Sequence, residues 1–189
     1  MNSTTNHNLN KKTLLSAFTT LLNDRLGESI VFPLLPFLLD KFNSSGSTLG
    51  FLAGTYAIAQ FAVSPLIGAL SDRYGRKPII IICVTGSVIG LTIFALTVSL
   101  NWNNILPLWA NSLPLIFLFS ARIIDGISGG TAATATAVLA DISTPETRAK
   151  TFGLIGVAFG LGFLLGPGMG TTLAKFSVTL PIWVAVGIA

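Results

Sequence analysis

Five apolar runs of roughly 20 residues or more, at 13–39, 48–70, 78–100, 113–140 and 151–174, constrain this chain more than any other feature, because each matches the thickness of a bilayer core. A sixth begins at 178 and reaches Ala189 after about twelve residues, too few to span by the same rule, so the sixth helix reads as truncated. Of the 189 residues 51% are apolar and 10% charged, more apolar surface than one soluble core can absorb. The runs are continuous and lack the ten-residue alternation of outer-membrane strands, which predicts an all-α integral membrane protein.

Residues 1–12 are polar and read as an N-terminal tail; 13–189 read as one helical bundle. The first run passes through Pro33 and Pro36 to Leu39, beyond signal-peptide length, so it is expected to remain as a span. Lys11, Lys12, Arg73, Arg76, Lys77, Arg148 and Lys150 would face one side, and only Lys41 and Lys175 the other; the basic side is expected to be cytoplasmic, with the N-terminus on it. That distribution explains the net charge of +4 by topology, with no nucleic-acid partner implied. Turn residues separate the runs at 43–47, 72–78, 101–104 and 143–146. Trp102 and Trp109 flank an uncharged outer loop, where amphipathic rings favour the interface.

The lone Cys83 excludes a disulfide or a cysteine-based metal site within the chain, and His7 reads as a solvated tail residue. No phosphate-binding Gly-Lys-Ser/Thr loop and no His-Glu-x-x-His motif is present, so neither an enzyme nor a bound metal or cofactor is expected.

Chemistry concentrates inside the runs. Asp24, Arg25 and Glu28 lie near the middle of the first, where each charge costs about 2.5–3.5 kcal/mol on insertion scales. Asp24 and Glu28 share a helix face, and Arg25 at three residues' spacing can pair with Glu28, which leaves Asp24 the freer carboxyl to exchange a proton. The bland alternatives are a static lattice of pairs, or two short segments broken at Gly27. Arg122 and Asp125 repeat the spacing of three in the fourth run, as a site or as a structural pair; the arginine cannot itself carry the proton. A Pro-x-x-Gly step follows each charge group, Pro65 to Gly68 and Pro167 to Gly170, as an inverted three-helix repeat would place it. Gly153, Gly162, Gly166 and Gly170 around Pro167 read as close packing combined with a hinge.

These runs resemble a known family. Gly68-Ala69-Leu70-Ser71-Asp72-Arg73-Tyr74-Gly75-Arg76-Lys77-Pro78 closely resembles the signature loop between helices two and three of the major facilitator superfamily. Three further runs resemble its drug:proton antiporter branch, near the tetracycline-efflux type: Asp24 with Leu26-Gly27 and Pro33-Leu34-Leu35-Pro36, then 122–130, then Gly153, Gly162, Gly166-Pro167 and Gly170. Thr171 stands where a second glycine is usual, and Arg25 and Glu28 where small or apolar residues are.

The resemblance implies the N-terminal six-helix half of a twelve-helix fold, built as 3+3 inverted repeats, in the plasma (inner) membrane and needing a missing C-terminal half. It implies proton-coupled efflux of amphipathic or drug-like small molecules. Asp24 and Arg122 would line the central cavity, beside which Arg25, Glu28 and Asp125 are the further proton-coupling candidates read from the residues themselves, and Gly68, Asp72, Arg73, Gly75, Arg76 and Lys77 would form a cytoplasmic gate loop. The rival readings are a symporter or uniporter for a sugar or other metabolite, and a receptor or assembly factor that kept the fold without transport.

Overall fold

The computed structural model describes residues 3–42, 45–100, 102 and 113–189, with the backbone alone for 3–10, 39 and 40. Trp109 and most of the 101–112 loop lie outside the described residues, as do Asn43 and Ser44. The described residues are almost wholly helical, in the order α1 (Ser3–Val31), α2 (Leu35–Lys41), α3 (Gly46–Tyr74), α4 (Arg76–Ser99), α5 (Leu113–Ser128), α6 (Gly130–Asp141), α7 (Arg148–Ala174) and α8 (Leu180–Ile188).

Among the described residues, four segments are long and apolar enough to cross a membrane: Gly46–Tyr74, Arg76–Ser99, Leu113–Asp141 taken through the α5/α6 joint, and Arg148–Ala174. The first and sixth expected crossings fall outside that set for separate reasons. With 29 residues α1 has the length, but it carries Asp24, Arg25 and Glu28, and α8 has only nine residues. Large apolar side chains such as Phe51, Ile58, Phe61 and Leu164 stand on the outside of the bundle, the arrangement expected where lipid replaces water.

Four boundaries differ from the sequence expectation. The first run is not one helix: α1 continues unbroken through Gly27, and the chain tightens into a 3-10 turn at Phe32–Leu34, because Pro33 offers no amide hydrogen. Polar residues from Ser3 onward already belong to α1, since nothing there breaks a helix. The expected loop at 68–78 is almost entirely helix. Only Gly75 stands between α3 and α4, at φ +95°, a conformation that a side chain would disfavour. The fourth run breaks at Gly129, whose carbonyl receives Gln60 Nε2 from α3 at 3.2 Å.

Helix pairing follows the repeat. The first span packs on α7 and α8, and the fourth on α3 and α4, so each triplet's leading helix lies on the second and third helices of the other. α1 packs closely on α7: a Cβ on Gly162 would come within 2.6 Å of Arg25 Cβ, and one on Gly166 within 2.5 Å of Ser29. Gly170 meets the Ile30 carbonyl in the same way, whereas Gly153 faces open space. α7 runs without a break through Pro167, and Thr171 Oγ1 donates to the Pro167 carbonyl at 2.8 Å. Glycines 162, 166 and 170 thus act first as a contact face.

The two ends of the bundle differ. At one, Lys41 Nζ donates to the Val98 carbonyl, Trp102 Nε1 to the Thr97 carbonyl at 2.8 Å and Trp183 Nε1 to Ser99 Oγ at 3.2 Å, which satisfies the C-terminus of α4. The other end gathers Lys12, Arg76, Lys77 and Asp141.

Candidate functional site

The C-terminal third of α1 presents three ionisable residues in five positions, and the fold closes around them. Arg25 folds toward both carboxylates. Its Nε and Nη2 donate to Asp24 Oδ2 at 3.0 and 2.6 Å, and Nη1 approaches Glu28 Oε2 at 2.5 Å. The expectation that Asp24 is the freer carboxyl therefore does not hold. Asp24 receives two aligned hydrogen bonds, while Glu28 Oε2 meets the guanidinium without hydrogen-bond alignment. The guanidinium also lies over the Phe159 ring of α7, 5.1 Å from its centroid.

The second group comes from α5. Arg122 Nη1 reaches Asp125 Oδ2 at 3.4 Å, and the guanidinium lies 4.5 Å from the centroid of Phe94 and 5.8 Å from that of Tyr56. Arg122 Nε is buried and has no partner among the described residues. Ser87 of α4 lines the same cavity as Asp125. Gly90 permits this approach of α4 to α5, since a Cβ there would lie 2.9 Å from the Asp125 amide. Asp24, Glu28 and Asp125 line one cavity, and Glu28 and Arg122 line another, so the two groups form one cluster. Three carboxyls face two guanidiniums; with all ionised, one negative charge is in excess.

Two cavities meet at this cluster. The larger, about 470 Å³, is lined by Asp24, Glu28, Tyr56, Ser87 and Asp125, and α8 reaches its rim at Ala189. A smaller one of about 170 Å³ lies among α1, α3 and α5 against Glu28, Tyr56, Gln60 and Arg122. Glu28 and Tyr56 border both. A third cavity, about 660 Å³, opens at the Arg76 end and shares Lys12, Ser16 and Thr20 with the larger one.

The expected gate residues collect at that end. Arg76 pairs with Asp72 at 2.6 Å and with Asp141 at the end of α6 at 3.0 Å, and donates from Nη1 to Ser71 Oγ at 2.6 Å. Ser71 in turn donates to the Gly68 carbonyl, and Arg73 lies over the Tyr74 ring. The α3/α4 joint is thus tied to α6 within this bundle.

Sequence reasoning missed Tyr56, Gln60, Ser87 and Asp141. Tyr56 and Gln60 left a readable signal, two polar groups four apart on one face of an apolar run, and Gln60 Nε2 also donates to Tyr56 Oη at 3.2 Å. Ser87 left none. Asp141 sat at the end of a run and looked like an ordinary interfacial charge.

Comparison with known proteins agrees with the geometry. The chain is 37% identical over 175 residues to the tetracycline resistance protein, class C, of Escherichia coli, covering 91% of this chain and 40% of that protein. It is 36% identical over 165 residues to multidrug resistance protein 2 of Bacillus subtilis (strain 168), covering 87% and 38%. The crystal structure of the human organic anion transporter MFSD10 (TETRAN) superposes with a TM-score of 0.74 at 29% identity, over 95% of this chain and 45% of that one. The chain thus spans about two-fifths of the length of the relatives it matches. Residues 17–189 match the Major Facilitator Superfamily, and the chain belongs to that family.

Proposed function

We propose that residues 13–189, behind a cytoplasmic tail at 1–12, are the N-terminal half-bundle of a secondary transporter that exports amphipathic or cationic small molecules in exchange for protons, together with a second half-bundle. The observation that carries this reading is the excess carboxyl: three carboxyls and two guanidiniums gather inside the helical bundle, on a cavity, where a charge at membrane depth costs about 2.5–3.5 kcal/mol by insertion scales. A site with one surplus negative charge is neutralised either by a proton or by a cation. Mutually exclusive occupancy, combined with different affinities in the inward- and outward-facing states, is sufficient for exchange. The names of the tetracycline and multidrug resistance relatives support export over uptake.

The Asp72–Arg76–Asp141 ties act in this reading as the cytoplasmic gate, and the Gly162–Gly166–Gly170 seam as the surface on which α1 moves against α7. One assay tests the whole proposal: efflux from proteoliposomes holding the complete transporter, under an imposed proton gradient. Wild type should export against the substrate gradient, and Asp72→Asn should slow export several-fold. The gate pairs are half-exposed, where each contributes about 0–1 kcal/mol, so folding should persist. Gradient-independent flux in the wild type would sink the exchange mechanism. Orientation is checked separately: cysteines placed at Lys77 and Lys150 should react with impermeant thiol reagents only from the cytoplasmic side.

The buried, unpartnered Arg122 Nε favours a second reading, export of organic anions, as the name of the human structural relative suggests for that protein. Competition by a small carboxylate distinguishes the two.

A further inference from the structure

We infer that Gln60 of α3 is a positioning residue of the transport cycle: its side-chain amide holds the bend of the fourth span at Gly129, and through Tyr56 makes that bend responsive to what occupies the 170 Å³ cavity. The inference rests on the transporter reading above.

No proline forces this bend. α5 ends at Ser128 and α6 begins at Gly130, with Gly129 between them at φ −63° and ψ 4°, a backbone that does not itself require glycine. A serine next to a glycine is a common place for a helix to yield. Here the Gly129 amide turns back to the Gly126 carbonyl at 3.1 Å, and Thr131 Oγ1 donates to the Ser128 carbonyl at 3.3 Å, so both bonds tighten the turn. A joint made this way is soft, and its angle is decided by what packs on it.

What packs on it is α3. A Cβ at Gly126 would lie 2.6 Å from the Tyr56 carbonyl, and one at Gly129 or Gly130 would run into the side chain of Gln60 or Ile67. This approach lets Gln60 Nε2 donate to the Gly129 carbonyl at 3.2 Å. Among the described residues it is the one side-chain hydrogen bond between α3 and the fourth span. The carbonyl needs a donor, which fixes the orientation of the amide, and the second hydrogen of the same nitrogen goes to Tyr56 Oη at 3.2 Å.

Tyr56 carries the tie into the site. The Arg122 guanidinium lies 5.8 Å from the centroid of its ring, and Tyr56, Gln60 and Arg122 line the small cavity together. Arg122 stands about two turns before Gly129 on the same span, so a change of bend shifts it against α3. A group that enters the cavity and takes Tyr56 Oη or the Gln60 amide as its own partner weakens the hold on the Gly129 carbonyl. A neutral hydrogen bond suits this role, because losing it changes a two-state population by about three- to tenfold and it can be remade in every cycle.

The test measures ethidium efflux from proteoliposomes holding the complete transporter under an imposed proton gradient. Gln60→Met keeps the length of the side chain and removes both donors. It should lower the maximal rate by about three- to tenfold, with KM within about twofold of wild type. Gln60→Glu can donate only when protonated. At a fixed gradient, its rate relative to wild type should climb as the pH on both sides is lowered together, while the Gln60→Met ratio stays flat. Glu28, Arg122 and Tyr56, the ionisable groups on the same cavity, are common to all three proteins, so the ratio cancels their titration. Gly129→Ala sets a Cβ against the Gln60 amide from the other side; it should slow efflux as Gln60→Met does, and the double variant should be no slower than the slower single one. The Gln60→Glu and Gly129→Ala arms keep the test decisive if Gln60→Met proves unstable. A wild-type rate for Gln60→Met, a raised KM at unchanged maximal rate, a flat ratio for Gln60→Glu, or additive losses in the double variant each overturn the inference, and gradient-driven efflux by the wild type then leaves the transporter reading standing. Should the wild type show no gradient-driven efflux, that reading fails and the inference falls with it.

Discussion

Arg122→Ala should abolish transport and destabilise the bundle by about 3–5 kcal/mol, the range found when one partner of a buried ion pair is removed. The substitution leaves the buried Asp125 without its cationic partner, and uncovers the faces of Phe94 and Tyr56. Much of the loss comes from the stranded carboxylate, so Arg122→Ala combined with Asp125→Asn should recover a large part of the stability and none of the transport. A double-mutant cycle on thermal unfolding in detergent reads the coupling directly. Arg122→Lys should fall between the two, because an ammonium retains the charge but cannot spread over Phe94 as a planar guanidinium does. A loss below about 1 kcal/mol for Arg122→Ala would place the pair among weak, solvated contacts and remove it from the cluster's frame.

The apolar runs located the helices because lipid leaves a spanning backbone no other way to satisfy its hydrogen bonds. The same runs could not show where a span bends. Pro33 and Pro36 were both visible, yet α1 yields at Phe32–Leu34 and α2 forms over Pro36, since a proline early in a helix loses no bond that the helix could have made. Gly75 turns the chain in one residue, where the surrounding Asp, Arg and Lys suggested a longer loop. Charged residues inside spans were legible as a site because their cost demands a reason. Their partners were not. Spacing rules describe where Cβ atoms point, and adjacent helix positions do not face one another. Arg25 nevertheless reaches Asp24, because its long side chain folds back once Gly162 presses α7 against its Cβ. Tyr56, Gln60 and Ser87 joined the site through neighbours on other helices, and helix adjacency is a property of the packed bundle that no local pattern carries.

Arg25→Ala should be more damaging than any other single substitution in the chain. One guanidinium uses three different nitrogens to hold two carboxylates four residues apart on one helix inside the bundle. Alanine keeps the Cβ that packs on Gly162, so the α1–α7 seam is preserved and the effect isolates the charge. With the cation gone, Asp24 and Glu28 repel each other on one helix face, and neither has another basic partner within hydrogen-bonding reach among the described residues. A cost above about 3–5 kcal/mol is expected, enough to exhaust the stability of most domains when added to ordinary strain. The expected result is little monodisperse protein by size-exclusion chromatography. Arg25→Lys should fold poorly, since a single ammonium cannot supply the forked contact to Asp24 while reaching Glu28. Removing both acids along with the base, in the triple variant Asp24→Asn, Arg25→Ala, Glu28→Gln, should restore a folded bundle that no longer exchanges protons for substrate. Should Arg25→Ala alone melt within about 1 kcal/mol of wild type, the two carboxylates must be hydrated through the 470 Å³ cavity, and water, not Arg25, holds the site together.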